Sequence, residues 1–153
     1  MIVPEGMTQG YRVRGLLVEE RAVPKERPRV GRGHAWTPER TVAWAEQVGW
    51  AWKGKHRFAE PYRGRVSLLL AFFFSQRVTA ADLDNLVKGV SDALNGLAYV
   101  DDRQVDALIV RRYKAERDAV SIVVAEMGSE VAEMEPREVY SLGVFVAGAC
   151  PYQ

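Results

Sequence analysis

Residues 66–74 read V-S-L-L-L-A-F-F-F, the longest apolar run in the chain, broken only by Ser67. Nine residues are far too few for a bilayer, which takes about 20 in a helix, so the run reads as a buried strand. A buried strand needs a core around it. The 153 residues, 48% hydrophobic and 27% charged, suffice for a single domain that folds without disulfides or metal staples. The lone cysteine, Cys150, has no partner for an internal disulfide and cannot build a Cys-rich zinc site, which points to a reducing compartment and oxygen chemistry. Residues 1–10 carry Pro4, Glu5 and Gly6 where a signal peptide would need a basic start and an apolar centre, so the expected location is cytoplasmic, with no membrane partner.

A net charge of +1 hides a gradient. Lys and Arg stand against Asp and Glu as 13 to 7 in residues 1–65, 7 to 9 in 66–126 and 1 to 4 in 127–153. This asymmetry permits a phosphate-binding surface in the amino-terminal part, with acids gathered elsewhere for another purpose.

Val13, Leu16, Leu17 and Val18 mark a first strand within 11–20. A Pro-, Gly- and basic-rich segment follows over 23–34, containing Lys25, Arg27, Arg29 and Arg32. Thr37 as cap and Pro38 in the first turn predict a helix over 38–53, with Thr41, Trp44, Ala45, Val48, Ala51 and Trp52 on one face. Trp50 falls on the other side; the favoured expectation is that another element covers it, and the alternative is a subunit or DNA contact. A second helix is predicted over 82–95, where Leu83, Leu86, Val87, Val90, Ala93 and Leu94 form a continuous stripe and Gly96 supplies the stop. Residues 104–113 and 118–127 are rich in Val and Ile, and the short charged stretch between them suggests a hairpin. After Gly128 the chain turns acidic, then apolar over 139–147. Residues 1–127 are thus expected to form the domain, and 128–153 an acidic extension that acts as an extra strand or a docking tail.

The chemistry rests on Asp82, Asp84 and the pair Asp101 and Asp102. A helix over 82–95 is about 20 Å long, and the seven steps from Asn95 to Asp102 cover at most about 25 Å when extended. An extended return places Asp102 beside Asp82 and Asp84, whereas a compact connection leaves it at the far end. In the first case three carboxylates share a pocket that only protons or a cation can stabilise. Mg²⁺ suits such oxygen ligands and keeps waters for a phosphate and a nucleophile. Lys88, four residues after Asp84, lies on the same helix face. Each piece also has an ordinary explanation: Asp82 as an N-cap, Asp84–Lys88 and Lys88–Asp92 as exposed pairs of about 0.3–0.5 kcal/mol, Asp101–Asp102 as a turn. The combination carries more than its parts. The two histidines, His34 and His56, lie far in sequence from the acids and read as ordinary surface residues.

The run D-L-D-N-L-V-K-G-V-S-D-A-L-N-G-L-A-Y-V-D-D-R-Q-V, residues 82–105, resembles the signature of the RusA-type Holliday junction resolvases. Shared features are the Asp-Leu-Asp-Asn-Leu opening, a Lys four residues after the second Asp, the Asp-Ala-Leu-Asn-Gly helix end and an Asp-Asp followed by Gln-Val. The resemblance implies a Mg²⁺-dependent endonuclease, with Mn²⁺ as the substitute metal, that acts as a homodimer on four-way DNA junctions and leaves a 5′-phosphate and a 3′-hydroxyl. By the same resemblance Asp82, Asp84 and Asp102 match the metal-binding acids, Lys88 the functional lysine, and Asp101 and Asn85 supporting positions. Departures are the acidic tail beyond the usual end and Ser91, where some relatives carry a bulky residue.

The expected fold is α+β, a mixed and largely antiparallel sheet with two main helices. Strands 66–75 and 104–113 are expected to be antiparallel if they pair. Lys25, Arg27, Arg29, Arg32, Lys53, Lys55 and Arg57 are the expected phosphate contacts. The competing readings are a branched-DNA binding module that does not cut, and an Asp-x-Asp enzyme of nucleotide-sugar chemistry. The latter lacks any nucleotide-binding pattern, and there is no Gly-x4-Gly-Lys-Ser/Thr phosphate loop either.

Overall fold

The computed structural model describes residues 12–76 and 81–126. Its elements are β1 (Val13–Val18), β2 (Arg29–Gly31), β3 (His34–Trp36), α1 (Glu39–Lys55), β4 (Val66–Phe74), α2 (Leu83–Leu94), β5 (Val105–Lys114) and β6 (Ala119–Glu126), with a 3₁₀ turn at Asp102–Gln104. The fold is α+β, with a mixed, mostly antiparallel sheet in the order β1-β6-β4-β5. The acidic and apolar segments after Gly128 lie outside the described residues. No helix among the described residues is long and apolar enough to cross a membrane.

Every residue of β4 is buried, which fixes its place. A strand apolar on both faces needs neighbours on both edges, because only a central position covers it. β6 lies antiparallel on one side, with Leu70 opposite Ile122, and β5 lies parallel on the other, with Leu68 opposite Leu108. On one sheet face Leu68, Leu70, Phe72, Val120, Ile122 and Val124 meet Trp44, Val48 and Trp52 of α1 and Leu86, Val90 and Leu94 of α2 in one core cluster.

Two strand expectations are corrected here. β4 and β5 are parallel, because α2 carries the chain back along the sheet before β5 begins, a strand–helix–strand crossover. β5 and β6 do not form a hairpin either; β4 lies between them. The charged link over 115–118 marks a turn but not a pairing, and the apolar demand of β4 overrides local order. The helices fall within two residues of their expected limits. The N-cap position of α1 is Pro38, with no side-chain cap, and Thr37 is outside the helix. The Pro38 carbonyl accepts from Thr41 N–H at 3.0 Å and closes the first turn. Trp50 is 71% exposed, with the Lys53 ammonium 5.3 Å from its ring centroid, so no described element covers it. His56 is half-buried: its Nε2 lies 3.0 Å from the Gly15 carbonyl and its ring sits against Trp52. Its pKa is lowered, mainly by desolvation. It is a structural residue joining α1 to β1.

Overlapping the Pro-, Gly- and basic-rich segment of 23–34, residues 29–36 form a small hairpin with Arg29 opposite Trp36 and Gly31 opposite His34. Arg32 (φ 48°) and Gly33 (φ 82°) make its turn, and positive φ at both central positions is what a two-residue type I′ hairpin requires.

Candidate active site

α2 forms because its apolar residues repeat at helical spacing, burying Leu86, Val90, Ala93 and Leu94. Its opposite face carries Asp84 and Lys88, both exposed. Asp82 occupies the N-cap position with extended backbone (φ −63°, ψ 139°), yet its side chain makes no cap hydrogen bond. The side chains of Asp82, Asp84 and Lys88 make no hydrogen bond or ion pair among the described residues. Two ordinary explanations therefore fall away: Asp82 is not capping, and Lys88 pairs with neither Asp84 nor Asp92, while Asp84 does stand in the first turn, where an acid complements the helix dipole. Asp92 is paired instead with Lys25.

The acids stand where a crossover unit places its working groups, at the carboxyl ends of the parallel strands and the start of the connecting helix. Arg112, near the end of β5, donates from Nη2 to the Ala81 carbonyl at 3.1 Å. A guanidinium is thus fixed beside the residue preceding Asp82. Sequence reasoning missed this cation; its signal is the Arg111-Arg112 pair directly after the apolar run Ala107–Val110.

Asp102 is elsewhere. After α2 the chain folds compactly: Leu97 and Ala98 N–H both donate to the Leu94 carbonyl at 2.9 Å, and Gly96 N–H (φ 77°) donates to the Tyr99 carbonyl at 2.8 Å. Buried Tyr99 clamps this loop, its hydroxyl donating to the Ser91 carbonyl at 3.0 Å and lying 3.1 Å from Ser91 Oγ. Burial pushes that hydroxyl up to about 12; the Asp102 and Asp92 charges add to the rise, and the Ser91 bond opposes it. Asp102 then opens the turn before β5, whose first residue, Val105, pairs with Val66. From there to Arg112 is seven strand steps, about 23 Å. Asp82 and Asp84 therefore stand at one end of α2 and Asp102 at the other, and the three do not form one pocket within a chain. Among the described residues no three His, Cys, Asp or Glu side chains group to hold a metal ion.

Asp101 and Asp102 differ in duty. Asp101 accepts from Arg103 N–H at 2.9 Å and from the Arg103 guanidinium at 2.9 Å through each oxygen, which holds its carboxyl well below the usual carboxylate range. The Gln104 side chain accepts from Asp101 N–H at 2.8 Å, completing a capping box, and donates to the Tyr62 and Gly64 carbonyls. Asp101 is a structural acid, and Asp102 is the exposed one.

The basic residues divide too. Lys25 is held by Asp92 and Arg29 lies 3.6 Å from Glu26. Arg27, Arg32, Lys53, Lys55 and Arg57 are exposed and have no ion pair among the described residues. Lys25 N–H also donates to the Asn85 carbonyl at 2.9 Å, laying the basic segment along α2.

In donor chemistry Asp82 and Asp84 fit a hard divalent cation, which is commonly held by one or two carboxylates and completed by water and substrate phosphate. Asp102, the third acid of the expected set, does not join them within one chain.

Residues 20–125 match the family model described as endodeoxyribonuclease RusA. Over 51 residues the chain is 45% identical to the uncharacterized protein YqaN of Bacillus subtilis (strain 168). That match takes in 33% of this chain and 36% of the relative, so the chain spans about a third of that relative's length. The family match covers the whole path from the basic segment through the acid-bearing helix to β6, and on that ground the chain belongs to the endodeoxyribonuclease RusA family.

Proposed function

We propose that the protein is a divalent-metal-dependent endonuclease that resolves four-way DNA junctions by paired nicks, acting as a homodimer. The observation that carries this reading is the state of Asp82 and Asp84: two exposed carboxylates whose side chains have no partner among the described residues, at the start of α2, with Lys88 one turn along and Arg112 beside Ala81. Two like charges at a helix start, without a side-chain cap bond and without a partner among the described residues, have a use when a cation and a phosphate arrive. Asp82 and Asp84 would hold Mg²⁺, or Mn²⁺ in its place. When bound, such an ion lowers the pKa of a coordinated water and polarises the scissile phosphate. Lys88 and Arg112 would stabilise the charge on the phosphoryl oxygens, and Arg27, Arg32, Lys53, Lys55 and Arg57 would hold the flanking backbone without reading bases. A two-fold dimer supplies two sites for a substrate of approximate two-fold symmetry. It is also the arrangement in which the Asp102 of a second copy can approach Asp82 and Asp84. The place of action in this reading is the cytoplasm.

The test is cleavage of a labelled synthetic four-way junction with Mg²⁺, with linear duplex as control. The native protein should nick opposed strands of the junction. Asp82→Asn and Asp84→Asn should each lower cleavage by at least about 100-fold, on the scale of removing a charge-stabilising group, while junction binding persists. One observation favours a second reading, a branched-DNA binding module: the three acids stay apart within a chain. Binding by the native protein without cleavage under varied metal and pH would decide for the module.

A further inference from the structure

None of the eight residues of the β2–β3 hairpin, 29–36, is buried. Val30 is 79% and Trp36 50% exposed. Two strands of three residues gain little stability of their own, and these apolar side chains serve no core. Directly opposed residues of an antiparallel pair share a face, so Arg29, Gly31, His34 and Trp36 lie on one side and Val30 and Ala35 on the other. The indole lies against Gly31, where a Cβ would meet its six-membered ring at 3.1 and 3.2 Å. The missing side chain is what lets the ring lie there.

The hairpin is fastened at its base to the helix that bears the acids. Lys25 N–H donates to the Asn85 carbonyl, in the first turn of α2, and Glu26 N–H points to Thr41 Oγ1 of α1 at 3.5 Å. Over residues 25–40 five Lys and Arg stand against two Glu. An aromatic ring edged by cations is the surface that binds a base and its phosphate together, since every base has a face to stack and every nucleotide a negative charge. Bases within a duplex are already stacked on both sides and costly to extract. At an opened branch point the terminal base pair of an arm has one face without a stacking neighbour.

We propose that the Trp36 face of the β2–β3 hairpin is a stacking platform for a nucleobase exposed at a DNA branch point, and that it gives the protein its preference for branched over linear DNA. This rests on the junction reading above. The test uses the full chain, without divalent metal so that nothing is cut, on a four-way junction and a linear duplex, each carrying 2-aminopurine at the position corresponding to the branch. The native protein should change the probe's fluorescence on the junction alone. Trp36→Ala should lose about tenfold or more in junction affinity, keep its duplex affinity and abolish the fluorescence change. Trp36→Phe should retain most of both, and Gly31→Ala, which displaces the indole, should fall between. Thermal melting should be unchanged in Trp36→Ala, because the ring lies outside the core. Undiminished junction binding by Trp36→Ala, equal loss on junction and duplex, or a change in sedimentation that makes Trp36 a subunit contact would each overturn the proposal. Failure of the native protein to bind the junction would instead remove the junction reading itself.

Discussion

Gly89 and Gly54 would answer the same substitution in opposite ways. In α2, a Cβ on Gly89 would lie 2.8 Å from the Val23 carbonyl oxygen, and backbone cannot step aside as a flexible side chain can. Gly89→Ala should therefore destabilise by about 1–3 kcal/mol, partly offset by about 0.5–1 kcal/mol from the better helix former. In α1, nothing lies within 4 Å of a Cβ on Gly54, so Gly54→Ala should gain up to about 0.5–1 kcal/mol. Chemical denaturation of the two variants checks both; a stabilised Gly89→Ala would mean that the 22–25 segment does not lie on α2. Only the second answer is readable from helix propensity. The close approach that reverses the first comes from a segment more than sixty positions away in the chain. Asp101 and Asp102 repeat the lesson: Asp-x-x-Gln at 101–104 is a capping-box pattern visible in the sequence, and it already separates the structural acid from the exposed one.

At the level of elements, the helices were legible because each carries its own periodic stripe, whereas strand partners were not, because an edge can pair with either of two neighbours. Asp118 shows how the actual arrangement is fastened. Just before β6, its Oδ1 accepts from Ser75 N–H at 2.7 Å and from Ser75 Oγ at 3.0 Å, with Arg21 at 3.6 Å. This joins the end of β4 to the start of β6. The Ser75 N–H above all holds the carboxyl below its ordinary range. A depressed carboxylate stabilises the fold above its unfolded pKa of about 4 and loses that contribution as pH falls through its lower folded value. Asp118→Ala should accordingly be less stable by about 1–2 kcal/mol at neutral pH, and the gap to the native protein should narrow below about pH 4. A gap that stays constant between pH 7 and pH 3 in denaturation experiments would show that the charged form plays no part.

For the whole molecule, the charge gradient becomes a surface. The residues ahead of α1 are basic and run beside the helix that bears the acids, through contacts such as Lys25 to Asn85. If Arg27 and Arg32 each neutralise a phosphate, replacing both by Ala should weaken junction binding and lower the slope of log affinity against log salt by about 1–2. An unchanged slope in a salt titration would remove these two from the interface. The amino-acid order by itself determined the two helices, the buried β4 strand and the family resemblance, because periodicity and local motifs are properties of neighbours in the chain. Only the tertiary structure decided that β4 sits between β5 and β6, that β5 runs parallel to it, and that Asp102 stands before the start of β5 rather than beside Asp82. The length of the 95–101 link allowed both an extended and a compact path, and what selected the compact one was the burial of Tyr99 and its bonds to Ser91.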